Sequence, residues 1–236
     1  VVIKDVPGGD VGSVHGRAPT PGNQYYGPFI YGSAYYTVVE VGQPSNNYWD
    51  TWYLAVMKST DSGLTWAEVD TADHPLGHEV NASVYRSGDV LYIAFKKRNT
   101  SAAGDYNLTI VSFNLATEQW ATIAATGPDP GGGNIGTKLV IRPNGDYVIL
   151  HNTGSGRNVV DYPAQGVHYV IYDGSWGTPV LTGSVDDPNF LSQQIQLDSV
   201  TDNLVHFYYV DTRFGASAYK HRSLDAVDAL GTEQAL

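Results

Sequence analysis

No cysteine occurs in this chain of 236 residues. That removes a disulfide framework, a thiolate zinc site and a cysteine nucleophile together. Positive charge is scarce as well: 13 Lys and Arg stand against 24 Asp and Glu, a net charge of −11. A nucleic-acid partner needs cations to displace counterions, and an anionic membrane surface needs the same. Neither partner is expected. No apolar run approaches the roughly 20 residues of a spanning helix, so no membrane insertion is expected. The chain begins at Val1, and VVIKDV has neither the basic nor the apolar stretch of a secretory signal. The expectation is a mature or trimmed product.

What the chain does have is apolar and aromatic mass with many turn residues. Hydrophobic residues make up 42% and aromatics 12%, with 17 Tyr, 26 Gly and 12 Pro. Such a mixture favours strands and turns over helices. Two glycosylation triplets, Asn81-Ala82-Ser83 and Asn107-Leu108-Thr109, occur, but short triplets of this kind arise often by chance.

The pattern along the chain is repetition. FIYGSAYYTVV turns at Gly32, SVYRSGDVLYIAF at Gly88, LVIRPNGDYVILH at Gly145 and IQLDSVTDNLVHFYY at Asn203. Each is a β-rich arm, a residue that tolerates positive φ, and a second β-rich arm. The turns recur about every 55 to 58 residues. A second hairpin follows in WYLAVMKSTDSGLTWAEV, LTIVSFNLATEQWATI and HYVIYDGSWGTPVL, with Trp66, Trp120 and Trp176 just past the turn. The fourth copy, SAYKHRSLDAV, lacks the Trp.

The unit is therefore four antiparallel strands, a to d. A β-sandwich also has many short strands, but it gives no reason for repeats in register. The expected fold is all-β, a β-propeller with about four blades visible. It forms a single domain over 1–236, with an N-terminal strand and loop at 1–26 and blades at about 27–79, 80–135, 136–190 and 191–236. Copy four shows no clear strand d. Either VVIKDV supplies it and closes a small ring, or the chain is a segment of a longer propeller.

One turn is more specific. Ser59-Thr60-Asp61-Ser62-Gly63-Leu64-Thr65-Trp66 resembles the Asp-box, S-x-D-x-G-x-T-W, of the sialidase-like propeller superfamily, also called neuraminidase or BNR repeats. Ser59, Asp61, Gly63, Thr65 and Trp66 match. FNLATEQW keeps the Trp and a polar turn, and YDGSW is shortened. The resemblance implies a box in the turn between strands c and d, on the face opposite the active site. Its residue types give it a structural role: a short carboxylate accepts from the backbone of its own turn, and Gly permits the needed φ.

Binding residues of propellers gather on the b–c and d–a loops, which a rigid scaffold positions. Here the b–c loops are 42–51, 97–106, 151–166 and 211–218, and the d–a loops include 71–80, 127–136 and 183–190. Arg98, Arg157 and Arg213 fall on three successive b–c loops and could clamp a carboxylate in bidentate fashion. Asp105, Asp161 and Asp211 fall on the same loops. Trp49, Tyr48 and Tyr162 offer flat faces, and His74, His78, Glu79 and His151 lie nearby. Each Arg can equally pair with the Asp of its own loop as ordinary surface charge. HEVNA lacks the second His of a metal helix, so neither metal nor other cofactor is expected.

Three functions remain open. The first is an extracellular, cell-surface or virion-surface module, such as a phage or appendage protein, that binds glycan or is structural and performs no catalysis. The second, implied by the resemblance, is a glycoside hydrolase acting on an acidic sugar, with an Arg triad, a Tyr nucleophile polarised by a Glu, and an Asp acid/base. Arg17-Ala18-Pro19 only echoes that family's early Arg-Ile-Pro. The only glutamates are Glu40, Glu68, Glu79, Glu118 and Glu233, and Glu68 and Glu118 sit at the box turns. Glu79, Asp105, Asp161 and Asp211 are the catalytic candidates. Arg98, Arg157, Arg213, His151, Trp49 and Tyr162 are the ligand-binding candidates. The third function is a protein-interaction scaffold in a larger assembly.

Overall fold

The computed structural model describes residues 10–11, 25–42, 52–69, 82–98, 106–131, 137–153, 158–183, 193–197, 204–211 and 218–235. Among these residues there are strands and no helix. The first sheet contains β1 (Asp10–Val11), β2 (Tyr25–Tyr31), β3 (Ala34–Gly42), β4 (Trp52–Ser59) and β5 (Ala67–Val69). The second contains β6 (Ser83–Ser87), β7 (Val90–Arg98), β8 (Tyr106–Asn114) and β9 (Gln119–Ala124). The third contains β10 (Thr137–Ile141), β11 (Tyr147–Asn152), β12 (Val167–Tyr172) and β13 (Val180–Gly183). The fourth contains β14 (Gln193–Leu197), β15 (Val205–Asp211), β16 (Ala218–Leu224) and β17 (Gln234–Ala235).

Each of the last three sheets is a four-stranded antiparallel meander in chain order, and the first is the same meander with β1 added beside β3. These are the blades of a β-propeller fold. The a–b turns at Gly32 and Gly88 hold φ of +59° and +57°, a conformation that Gly adopts without steric cost.

One strand comes from an unexpected place. The outer strand of the fourth sheet is Gln234–Ala235, which pairs with His221 and Lys220, the place that VVIKDV fills in one of the two alternatives above. Two residues leave too weak a hydrophobic pattern to be read as a strand. VVIKDV lies outside the described residues, and the N-terminal pair Asp10–Val11 joins Gly42 and Val41 in the first sheet.

The chain divides into two compact units, Val1–Ser101 with Thr109–Ala125, and Ala102–Leu108 with Thr126–Leu236. In the first unit, Tyr36, Val38, Leu54 and Val56 pack against Leu91, Ile93, Phe95, Val111 and Phe113. The intervening residues Val39, Ala55 and Met57 are buried too, so β3 and β4 are covered on both faces. In the second unit Tyr169 stacks on Phe207 at 5.4 Å, joining the third and fourth sheets. Trp176 lies so close to Gly127 that a Cβ there would stand 2.7 Å from the indole and from the Leu108 carbonyl.

The c–d turns share one device. In STDSGLTW, the Asp61 carboxylate accepts from Thr65 N at 2.9 Å, Thr65 Oγ1 at 2.6 Å and Ser59 Oγ at 2.7 Å. Ser59 Oγ in turn accepts from Gly63 N, and Trp66 Nε1 donates to Gly63 O. In the second sheet Asn114 Oδ1 accepts from Ala116 N and Thr117 N. In the third, Asp173 Oδ1 accepts from Ser175 N and Oγ. In the fourth, Asp225 Oδ1 accepts from Val227 N and Ala229 N. A short side-chain oxygen thus satisfies turn donors that strand pairing leaves over. The Ser-x-Asp of Ser59 and Asp61 returns as Ser223 and Asp225, a likeness hidden in the sequence by the missing Trp.

Each of these turns has a residue at positive φ in a matching place, Ser62 (followed by Gly63), Glu118, Gly174 and Asp228. They recur about every 55 residues. The non-glycine positions carry backbone strain of roughly 1 kcal/mol, and at two of them the side chain clamps the neighbouring sheet. Glu118 Oε1 accepts from Tyr36 Oη at 2.7 Å and from Lys58 Nζ at 2.5 Å. Asp228 Oδ1 accepts from Arg142 Nη1 at 2.6 Å, while Arg142 Nη2 donates to Asp225 O at 2.9 Å. The Arg142 side chain is 1% exposed, so its charge depends on these acceptors.

Two outcomes follow from the turns and clamps. Hydrogen bonds from Thr65, then from Ser59, hold the Asp61 carboxyl at about 2, against an ordinary 3.8. A lowered folded-state pKa stabilises above the unfolded value, and that contribution fades as pH falls from about 4 through 2. Calorimetric melting from pH 5 to pH 2 should show a shallower acid decline in Asp61→Asn than in the wild type. In urea unfolding at neutral pH, Asp228→Ala should lose about 1–3 kcal/mol by removing the carboxylate that accepts from the buried Arg142 Nη1.

Candidate functional site

The b–c end of the third sheet gathers the most concentrated polar chemistry among the described residues. Strand β11 ends in His151-Asn152, and β12 begins Val167-His168. Their register sets His151 directly opposite His168, so both imidazoles emerge on one face. The rings are nearly parallel, 19° apart in plane, with centroids 6.1 Å apart. Tyr162 returns from the loop and stands perpendicular to both, at 5.3 Å from His151 and 5.1 Å from His168. All three are at most 1% exposed.

The hydrogen-bond roles follow from the partners. His151 Nδ1 faces the Asn152 carbonyl at 3.4 Å and His168 Nδ1 faces the Gly166 carbonyl at 3.2 Å. A carbonyl only accepts, so both Nδ1 atoms carry hydrogen. His151 Nε2 then accepts from the Tyr162 hydroxyl at 3.2 Å. Burial first, then the charges of Asp161 and Asp129, push the Tyr162 phenol far above its ordinary range. It acts here as a neutral donor.

The cluster anchors the loop. Thr153 N donates to Gly166 O, and Gly166 N donates back to Thr153 Oγ1, both at 3.0 Å. Asn158 organises the return. Its N donates to Asp129 O, its O accepts from Tyr162 N, its Oδ1 accepts from Val160 N, and its Nδ2 donates to Asp161 Oδ2. Val159 and Val160 are exposed, and Asp161 is half-buried. The described residues of this loop are thus held by hydrogen bonds before any ligand arrives.

Three candidates from the sequence, His151, Asp161 and Tyr162, therefore come together here. Arg98 and Asp211 end strands β7 and β15, and their side chains lie outside the described residues. Glu79, Asp105, Arg157, Arg213 and Trp49 lie outside them entirely. His168 escaped the sequence reading, because its partner is set by strand register and is 17 positions away in the chain.

A second cluster joins the third and fourth sheets. Tyr209 Oη donates to Glu233 Oε2 at 2.5 Å and lies 3.0 Å from Thr182 O. Lys220 Nζ lies 3.2 Å from Glu233 Oε1, and Arg222 Nε 3.9 Å from Oε2. Burial and the adjacent carboxylate push the Tyr209 phenol well up. Tyr36 beside Glu118 is shifted in the same direction, by burial first. At the opposite, c–d end of the second unit, a cleft of about 360 Å³ is lined by residues including Tyr169, Asp173, Ser175, Thr178 and Asp228.

No family model and no curated protein matches this chain. Solved structures share its fold. One is the catalytic domain of Coprinopsis cinerea GH62 alpha-L-arabinofuranosidase, 11% identical with a TM-score of 0.53, matched over 91% of this chain and 66% of that one. Another is a PL25 polysaccharide lyase, an ulvanlyase, 13% identical with a TM-score of 0.58, matched over 90% of this chain and 54% of that one. The chain thus spans from about half to about two thirds of the length of these proteins. At such identities the likeness is one of fold.

Removing the Tyr162 hydroxyl strips the buried His151 Nε2 of its donor. Tyr162→Phe should lower stability by about 1–3 kcal/mol in urea unfolding. Tyr162→Ala, which also removes the ring between the two imidazoles, should cost about 3–5 kcal/mol.

Proposed function

We propose that this chain is a carbohydrate-binding β-propeller module of an extracellular, cell-surface or virion-surface protein, and that it performs no catalysis. The observation that carries this reading is the braced b–c loop of the third sheet. Its neck rests on the fully buried His151, Tyr162 and His168, which leaves the exposed Asn158, Val159 and Val160 and the half-buried Asp161 as a preformed surface. Sugars are recognised by fixed polar groups of this kind beside small apolar faces. The likeness in fold to an arabinofuranosidase and a polysaccharide lyase supports a glycan as the ligand. The match of STDSGLTW to the Asp-box supports kinship with sialidase-like propellers.

The hydrolase reading has one observation in its favour, the 2.5 Å pairing of Tyr209 with Glu233. A nucleophilic phenol needs a lowered pKa and access to substrate. Tyr209 is 2% exposed and its pKa is raised. The binding reading therefore takes precedence.

A glycan array probed with the whole chain, followed by calorimetry on the hits, tests the proposal. The expected result is saturable binding of at least one glycan without turnover, weakened by Ala at Arg98, Arg157 or Arg213. Cleavage of an acidic glycoside, lost in Tyr209→Phe, would establish the hydrolase instead. An empty array would turn attention to a protein partner in a larger assembly.

A further inference from the structure

The fourth sheet carries a histidine pair separate from the site above. His206 lies on β15 and His221 on β16. The register opposes His206 to Ser223 and His221 to Tyr208, so the two histidines are diagonal neighbours on one face. His206 Nδ1 is 2.7 Å from His221 Nε2. The ring centroids are 4.9 Å apart and the planes differ by 24°. That separation is close to the largest that such a nitrogen contact allows. The two nitrogens therefore face each other along the line of ring centres, the arrangement of an N–H···N hydrogen bond from His206 Nδ1 to His221 Nε2.

A third residue fixes the chemistry of the pair. His221 Nδ1 lies 3.3 Å from Gln234 Oε1 on β17. The amide oxygen accepts, so His221 Nδ1 carries hydrogen and Nε2 presents its lone pair to His206. The Tyr208 ring walls one side, 5.1 Å from His221.

We propose that His206 Nδ1 and His221 Nε2 are the protein ligands of a binding site for a borderline divalent ion of the Zn²⁺, Ni²⁺ or Cu²⁺ class. Imidazole nitrogen suits these ions. His206 moves its hydrogen from Nδ1 to Nε2 on binding, a neutral tautomer change that leaves the protonation of the pair unaltered. Tetrahedral ligation places two nitrogens about 3.3 Å apart with lone pairs meeting at about 109°, so to admit the ion the pair opens by roughly 0.6 Å and each ring turns off the line of centres. Among the described residues no group of three or more metal-binding side chains assembles, and water completes the coordination sphere. Gln234 holds His221 in the ligating tautomer, as outer-shell carbonyls do for metal-bound histidines. The ion ties β15 to β16, and through Gln234 it steadies the two-residue β17.

The test is calorimetric titration of the untagged whole chain with ZnCl₂, NiCl₂ and CuCl₂, with MgCl₂ as the hard-ion control, alongside thermal melting. The expected result is saturable one-to-one uptake of the transition ions, none of Mg²⁺, and a raised Tm. His206→Asn and His221→Asn should each abolish uptake while circular dichroism remains that of the wild type. Gln234→Ala should weaken it about tenfold or more. Should either histidine variant fail to fold, imidazole ¹⁵N shifts of the wild type under Zn²⁺ decide: His206 and His221 must be the resonances that move. No uptake up to about 1 mM metal, an affinity near −4 kcal/mol, would overturn the proposal. So would uptake undiminished in both folded variants, which would assign it to other histidines.

Discussion

Everything in this fold hangs on how the outer hairpin of each blade is closed. Four antiparallel strands satisfy one another's backbone, but the c–d turn leaves amide donors with no strand to receive them. In each c–d turn a side-chain oxygen supplies an acceptor: Asp61, Asn114, Asp173 and Asp225. Closing the turn also fixes which residue takes positive φ. In the second and fourth sheets that residue is acidic, and its carboxylate is thereby aimed at the adjacent sheet. A local hydrogen bond within the turn thus sets a long-range ion pair between blades.

The same economy governs charge. In a chain of net charge −11 with only 13 Lys and Arg, Lys58, Arg142, Lys220 and Arg222 are engaged with carboxylates inside the two units. Three tyrosines at these joints, Tyr36, Tyr169 and Tyr209, have raised pKa values, with burial as the leading cause. Each therefore serves as a neutral hydroxyl donor. Carboxylates, cations and phenols are used here as fasteners between sheets.

The legible parts of the fold are those that depend on near neighbours. Gly32 and Gly88 marked their turns because only a residue free to adopt positive φ closes them cheaply. STDSGLTW was legible because all its bonds fall within eight residues. The other c–d turns were not. Their oxygens bond two, three or four positions on, and no single spacing describes them. At the site, His151, Asp161 and Tyr162 stood out as loop chemistry. Their burial did not, since it depends on how the loop folds back over β11 and β12. His168 was silent, because one histidine at a strand start has no local mark until the register sets it opposite His151.

From the sequence alone come the all-β class, the four-stranded repeat and the residues offered at each loop, because strand patterning and turn chemistry are decided within about ten residues of chain. Only the tertiary structure decided the rest: the strand at Gln234–Ala235, the His151–Tyr162–His168 cluster, and the pairing of Tyr36 with Glu118 and of Arg142 with Asp228. Those last partners are 82 and 86 positions apart. Contacts over such separations follow from sheet stacking, which brings distant side chains to one interface and leaves no periodic trace in the chain.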